Sequence, residues 1–389
     1  MKLHNLARAA SRVGGALAWV VLPAGFLALM IAGSIGNHFA FDFHQFWQGG
    51  RDVLDGRSPY PPAESLPRAG DPSLDAVMIQ DVYRFPYPAP AALAMVPFGT
   101  LPFAVAAAIF VALSVVAVLA ALRVLGVSDP RCYGVVFLSI STLGAVRLGT
   151  FTPFLLLGLA VAWRYRNRTA AVAPVLAAVI VAKLFLWPLL VWLVLTRRFR
   201  AALLTVTIAG FVTFASWAAI GFSGLADYPG LLSSLSASVQ GKGWSIVALG
   251  LSLHLALPLA KGLALALGGG TLALAARGVC DERAFALALV AALLLSPIVW
   301  AHYFLLLVAP LAIASPTLGF AWLAPLALWI WPFQETGGEA WRIALGLAVL
   351  VTVSAWSLRP ARRGLRTGRA VLRGTTAASP SVAAHRSRA

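Results

Sequence analysis

The chain has 389 residues, 60% of them hydrophobic and only 11% charged, with a formal net charge of +17 and a mean hydropathy of +0.86. Soluble domains carry about 25% charged residues, so this composition excludes a water-soluble globular protein. Apolar runs approaching the roughly 20 residues of a bilayer crossing recur along the chain. The positive charge does not point to nucleic acid, because Lys and Arg gather in short loops and in the C-terminal segment, as cytoplasmic loops of membrane proteins do.

Arg8 and Arg12 precede the first apolar run, "VGGALAWVVLPAGFLALMIAGSIG". It is too long for a signal peptide and lacks a small-residue cleavage pattern. It reads as a retained first helix with residues 1–13 cytoplasmic. Residues 37–88 then form a long outer loop holding seven of the thirteen acidic residues. The run from Ala89 is interrupted at "VPFGTLPF", which predicts a short surface helix and then a span ending near Arg123.

From Arg131 to Arg168 the apolar run is too long for one helix and suits a hairpin turning at "RLGTFTP", with Arg147 at the turn. From Thr169 to Arg200 the pattern repeats, with the turn at Lys183. A further span leads to the outer loop "GFSGLADYPGLLSSLSASVQGKGWS", and the chain returns through His254 and Lys261 to "RGVCDER". The next pair turns between Pro297 and His302, and the last near "FQETGGEAW". The expected fold is an all-α polytopic membrane protein of about twelve transmembrane helices with both termini cytoplasmic. Its domain, 14–357, is followed by a basic, disordered tail, 358–389, able to touch anionic headgroups. Cys132 and Cys280 both fall beside cytoplasmic loops, so neither a disulfide nor a metal site is expected.

This topology puts Asp42, Arg147, Lys183 and His302 at the outer interface. Charge at membrane depth costs several kcal/mol unless it faces a polar cavity, so the four suggest one outward-facing pocket. Asp42 lies among Phe41, Phe43 and Phe46. A carboxylate partly desolvated by aromatics holds a proton more readily and can serve as a general base. The plainer alternative is a carboxylate that caps a loop helix. His44 and Trp47 follow at helical spacing and could line the same pocket, although an interfacial Trp is more often an anchor in the aromatic belt. Arg147, Lys183 and His302 either converge on an anionic head group, which arginine can engage in bidentate fashion, or snorkel separately to the headgroups.

There is no Gly-Lys-Ser/Thr phosphate loop, so ATP is not used directly. No residues have metal-ligand spacing, and the outer loop lacks a close Asp-X-Asp pair. No metal or other cofactor is therefore expected.

Over residues 14–357 the chain resembles glycosyltransferase family 87, polytopic enzymes of the GT-C class that use polyprenyl-phosphate sugars. The resemblance is carried by Asp42 just after the first helix, the "GRSPY" turn with Gly56, Pro59 and Tyr60, and the segment "YRFPYPAPAALAMVPFGTLP" with Tyr87. It continues in "KLFLWPLL…TRRFRAA" at Lys183 and "SPIVWAHYFLLLVAPLA" at His302. The order and spacing of these pieces make the match. It implies transfer of a hexose, often mannose, from a polyprenyl-phosphate donor to a lipid or glycan acceptor at the outer face of the cytoplasmic membrane. Asp42 would be the base, and His302 would help hold the donor phosphate or the acceptor. Tyr60 and Tyr87 are pocket candidates.

Two departures bear on specificity. Gly149-Thr150 stands where the family commonly shows Gly-Gln, and "GKGWS", with Lys242 and Ser245, stands where relatives carry an Asn-Gln-Ser element. A transporter or flippase of a lipid-linked or anionic solute is the alternative from another class. No clear internal repeat supports it, and the ionisable residues gather toward one face. A non-catalytic assembly subunit and a ligase moving a whole glycan are further alternatives. The Ala-, Leu- and Arg-rich composition fits a bacterial inner membrane.

Overall fold

In lipid every backbone polar group must be satisfied within the chain, which leaves helices as the economical solution for an open polypeptide. The computed structural model describes residues 2–35, 39–60, 85–277, 280–330 and 337–358, and these are helical with no strand among them. Residues 61–84 of the expected outer loop and 359–389 of the expected tail lie outside the described residues.

The helices are α1 (Lys2–Ser34), α2 (Phe41–Leu54), α3 (Ala89–Gly99), α4 (Phe103–Val124), α5 (Pro130–Leu138), α6 (Ile140–Leu148), α7 (Thr152–Arg164) and α8 (Thr169–Ala182). They continue with α9 (Pro188–Leu195), α10 (Phe199–Ala219), α11 (Tyr228–Val239), α12 (Ile246–Ser252) and α13 (Leu257–Ala276). The last are α14 (Asp281–Leu295), α15 (Val308–Ala314), α16 (Phe320–Leu323) and α17 (Ala340–Ser357). Short 3-10 helices occupy Leu184–Leu186, Ala301–Leu307 and Ala324–Ile330.

By length and composition four of the described helices, α4, α10, α13 and α17, can cross a bilayer, and α5 with α6 makes a fifth if the pair is one bent span. The chain is thus an all-helical, multi-pass membrane protein. Several apolar stretches that the sequence suggests as spans are instead built from shorter pieces. The 64° bend between α5 and α6 falls at Ser139, whose backbone is extended while its hydroxyl accepts a bond from Ser141 N. The Leu138 carbonyl beside the bend accepts a bond from Trp329 Nε1 at 2.5 Å.

The central core is made where α7, α8, α9 and α14 meet, with Leu156, Leu159, Leu176, Trp192 and Phe285 buried. Trp192 meets Phe285 edge to face at 5.0 Å, a geometry aromatic rings favour. A second cluster under α2 and α3 contains Phe43, Phe46, Tyr60, Phe85, Phe110 and Trp217.

One end of this bundle is rich in arginine. There Asp281, at the start of α14, accepts bonds from Arg166 Nε at 2.7 Å and Trp192 Nε1 at 2.8 Å. It also takes a bidentate pair from Arg198 at 2.8 and 2.6 Å. One carboxylate therefore ties α14 to α9 and to the turns at both ends of the α8–α9 hairpin.

Candidate active site

The opposite end of α8 carries the polar residues. Helix α8 stops at Ala182 because Lys183 is extended (φ −147°, ψ 98°), and the chain resumes as α9 only after a 3-10 turn, with Pro188 at the first helical position. Proline fits there because its missing N–H would be unpaired anyway. The break aims Lys183 sideways. Its Nζ donates to the hydroxyls of Tyr87 and Tyr303, both at 2.9 Å. It also lies 4.3 Å from the Tyr87 ring centre and 5.2 Å from that of Tyr303, within reach of cation–π attraction. Phe185, two residues on, stacks on Tyr303 at 4.9 Å.

Tyr87 is held by the segment that carries it. "FPYPAP" has few N–H groups to spend on a ladder, and two of its carbonyls are taken by tyrosine hydroxyls instead. Tyr60 Oη donates to the Tyr87 carbonyl at 2.8 Å, and Tyr228 Oη to that of Pro86 at 3.2 Å. Tyr60 is buried, stacked on Trp217 at 4.8 Å, so it supports Tyr87 from behind. The Tyr87 ring meets Phe46 at 4.7 Å and Phe151 at 5.7 Å.

Asp42 sits in the first turn of α2 and is half-buried. Its carboxylate is close enough to Lys183 and to the Tyr87 hydroxyl for its charge to act on both. The start of α2 is fixed by Ala40, whose backbone is left-handed (φ 51°) and whose N–H donates to the Arg147 carbonyl at 2.8 Å. A non-glycine residue in that region stores about 1–3 kcal/mol of strain. Here the strain is met by a bond that joins α2 to the end of α6.

Two residues past Arg147, Gly149 is also left-handed (φ 69°), and an added Cβ would sit 2.6 Å from Cβ of Phe43. Glycine is therefore required twice over in the Gly149-Thr150 turn. The Thr150 hydroxyl accepts from Thr152 N, at the first residue of α7, at 3.2 Å. Among the described residues the buried Nε of Arg147 has no hydrogen-bond partner, nor do the buried hydroxyls of Ser141 and Thr142 on α6 and Thr152 on α7.

His302 is 3% exposed, in the 3-10 helix Ala301–Leu307, which packs against α6. Its ring meets that of Tyr303 edge to face at 4.7 Å. The structure thus brings Asp42, Tyr87 and Lys183 together. It carries Arg147 to the base of α2 through the backbone and sets His302 beside the tyrosine that holds Lys183.

The remaining candidates are placed differently. His44 lies against Phe103 at 5.1 Å and Trp47 at 5.8 Å. Trp47 donates Nε1 to the Leu101 carbonyl at 3.0 Å, which anchors α2 on the α3–α4 turn. Ser245 is the N-cap of α12: it accepts from Ala248 N at 3.1 Å and donates to the Pro297 carbonyl at 2.8 Å. Lys242 offers its carbonyl to Gly337 N at 2.8 Å. Together with the bond from Trp244 N to the Val299 carbonyl at 2.6 Å, this "GKGWS" turn braces the segment leading to His302. The main participant that sequence reasoning missed is Tyr303, whose hydroxyl holds Lys183. Its signal was the aromatic beside the histidine in "AHY".

No curated protein and no solved structure matches the chain. The model of glycosyltransferase family 87 matches residues 85–299. That span takes in Tyr87, Arg147, Lys183, Lys242 and Ser245, begins after Asp42 and Tyr60, and stops just short of His302. With more than half of its length covered by that family's model, a membrane-embedded chain whose helix breaks gather a lysine, tyrosines and a carboxylate at one end belongs to glycosyltransferase family 87.

Proposed function

We propose that this membrane glycosyltransferase moves a hexose, mannose in particular, from a polyprenyl-phosphate donor to a lipid or glycan acceptor, without a metal. The site would open to the outer face of a bacterial inner membrane, within a GT-C-like bundle of about twelve spans with cytoplasmic termini. The observation that carries this reading is Lys183, held between two tyrosine hydroxyls and within reach of the Asp42 charge. A cation and a carboxylate within electrostatic reach of each other are what a displacement at an anomeric carbon needs: a base for the nucleophile and a counter-charge for the leaving group.

In this reading Asp42 accepts the proton of the acceptor hydroxyl. The acceptor oxygen bonds to the anomeric carbon, and the bond from that carbon to the phosphate oxygen breaks. Polyprenyl phosphate leaves with the electron pair, and Lys183, Arg147 and His302 stabilise the charge that builds on it. The unpartnered buried Nε of Arg147 supports a phosphate ligand, since buried N–H groups rarely stay unpaired and guanidinium N–H groups suit phosphate oxygens. A single displacement inverts the anomeric centre. Lys242 and Ser245 would act at one remove, through the segment they brace.

The test is donor turnover by protein in nanodiscs with a panel of polyprenyl-phosphate hexoses, for wild type and Asp42→Asn. Loss of a general base lowers turnover by about 10²–10⁴-fold, and the substitution keeps the size of the side chain. Equal turnover in a folded Asp42→Asn protein would remove Asp42 from the chemistry. A retained anomeric configuration would remove the single displacement. Movement of labelled lipid between leaflets without a sugar product would favour the alternative of a transporter or flippase.

A further inference from the structure

The arginine end of the bundle holds a feature outside the site proposed for sugar transfer. Between the end of α4 and the end of α7 lies a cleft of about 360 Å³ whose lining includes Arg123, Leu125, Trp163, Arg164, Tyr165 and Arg166. That volume is at the lower end of the ~300–1,000 Å³ of small-molecule sites. We propose that this cleft binds the phosphate head group of an anionic phospholipid.

Charge is the first reason. Arg123 and Arg164 are exposed, and neither forms an ion pair among the described residues. Arg166 is fixed over the Trp163 ring, 3.9 Å from its centre, with Nε on Asp281 and Nη1 on the Trp163 carbonyl at 2.9 Å. Three of its five N–H groups remain for a ligand. Two carboxylates at this end are already engaged, Asp281 with Arg166 and Arg198 and Asp129 with Arg131 at 2.8 Å. The cleft therefore carries surplus positive charge on a pre-positioned guanidinium.

The second reason selects a lipid over a soluble phosphate. On α4 the large exposed side chains are Val105, Ile109, Leu113, Val116 and Leu119, with Val116 58% exposed. Their spacing of three and four residues is that of one helix face, and the next residue on that face is Arg123. An acyl chain lying along this stripe brings its head group to Arg123 and the cleft. Trp163 and Tyr165 supply the amphipathic rings that prefer the headgroup level.

The experiment uses the full chain, extracted from phosphatidylcholine nanodiscs doped with phosphatidylglycerol, and reads retained lipid by native mass spectrometry. Wild type should retain phosphatidylglycerol over phosphatidylcholine. Arg123→Gln with Arg164→Gln should weaken that retention about 30-fold, each arginine at an anionic surface contributing a factor of about five. Arg200→Gln, an exposed arginine outside the cleft lining, should bind as wild type. Should the double variant fail to fold, each single variant should show its own fivefold loss. Wild-type retention in these variants would overturn the proposal, and so would an equal loss in Arg200→Gln, which would mean a diffuse basic surface. Glycerol phosphate or inorganic phosphate binding as tightly as the whole lipid would assign the cleft to a soluble anion.

Discussion

Lys183 is a cation in the middle of an apolar run, and the residues that make it tolerable are two tyrosines far away in sequence. Hydrogen bonds to a charged group are worth about 1.5–3 kcal/mol each, and the ring faces add to them. Tyr303→Phe removes one bond and keeps the stack on Phe185. It should leave the protein folded and reduce kcat/KM for donor by about tenfold, the loss of roughly one such bond. Lys183→Met should cost about 10²–10³-fold in kcat, the scale for removing one charge-stabilising donor. Steady-state kinetics in nanodiscs would check both, and unaltered rates in the pair would make Lys183 a structural peg. Lys183 was legible in the sequence because a charge in an apolar run stands out. Tyr303 was not, because interfacial tyrosines are common and its partner lies 120 residues away.

At the scale of elements, α2 carries Asp42 and is seated on α3 by glycines. A Cβ on Gly50 would run into the Met95 carbonyl, and one on Gly99 would meet Arg51 N at 2.8 Å. Backbone cannot give way as a side chain can. Gly50→Ala should therefore destabilise the protein by about 1–3 kcal/mol and lower turnover with it. Thermal melting in detergent would show the shift, and a melt identical to wild type would refute the close crossing.

The clamp at the other end gives a pH prediction. Burial works to raise the pKa of Asp281, but the bonds from Arg198, Trp192 and Arg166 outweigh it and hold the carboxyl below its ordinary range. A lowered folded-state pKa means stability that is present above the unfolded value, about 3.9. That stability is lost as pH falls through the lower folded value. Asp281→Asn should melt earlier than wild type at pH 7, and the difference should shrink as pH drops below about 4. A gap independent of pH would mean that packing, not charge, sets the effect. The "RGVCDER" loop was legible as a turn, but its aspartate's partners at Arg166 and Arg198 were not, since nothing local links the three.

Across the whole molecule, large apolar side chains face outward. Phe211 on α10 is 70% exposed and Leu259 on α13 is 64% exposed, a surface that only lipid accommodates over such an extent. The two thiols report on this arrangement, Cys132 being buried and Cys280 exposed at the arginine end. A membrane-impermeant maleimide should label Cys280 in inside-out vesicles and leave Cys132 untouched until the protein is denatured. Labelling of Cys280 from the outside of intact cells would reverse the proposed orientation.

Composition and hydropathy by themselves determined that this is an all-helical membrane protein, because burying a backbone in lipid leaves few other solutions. Punctuation by Pro, Gly and isolated charge also marked the turns at Gly149, Lys183 and Pro297, since each breaks helical hydrogen bonding or resists lipid locally. Which side chains meet at those turns was decided only by tertiary structure. The contacts of Lys183 with Tyr87 and Tyr303, of Ala40 with Arg147, and of Ser245 with Pro297 all join distant segments. Their geometry depends on where helices break and cross, and local pattern carries no record of that.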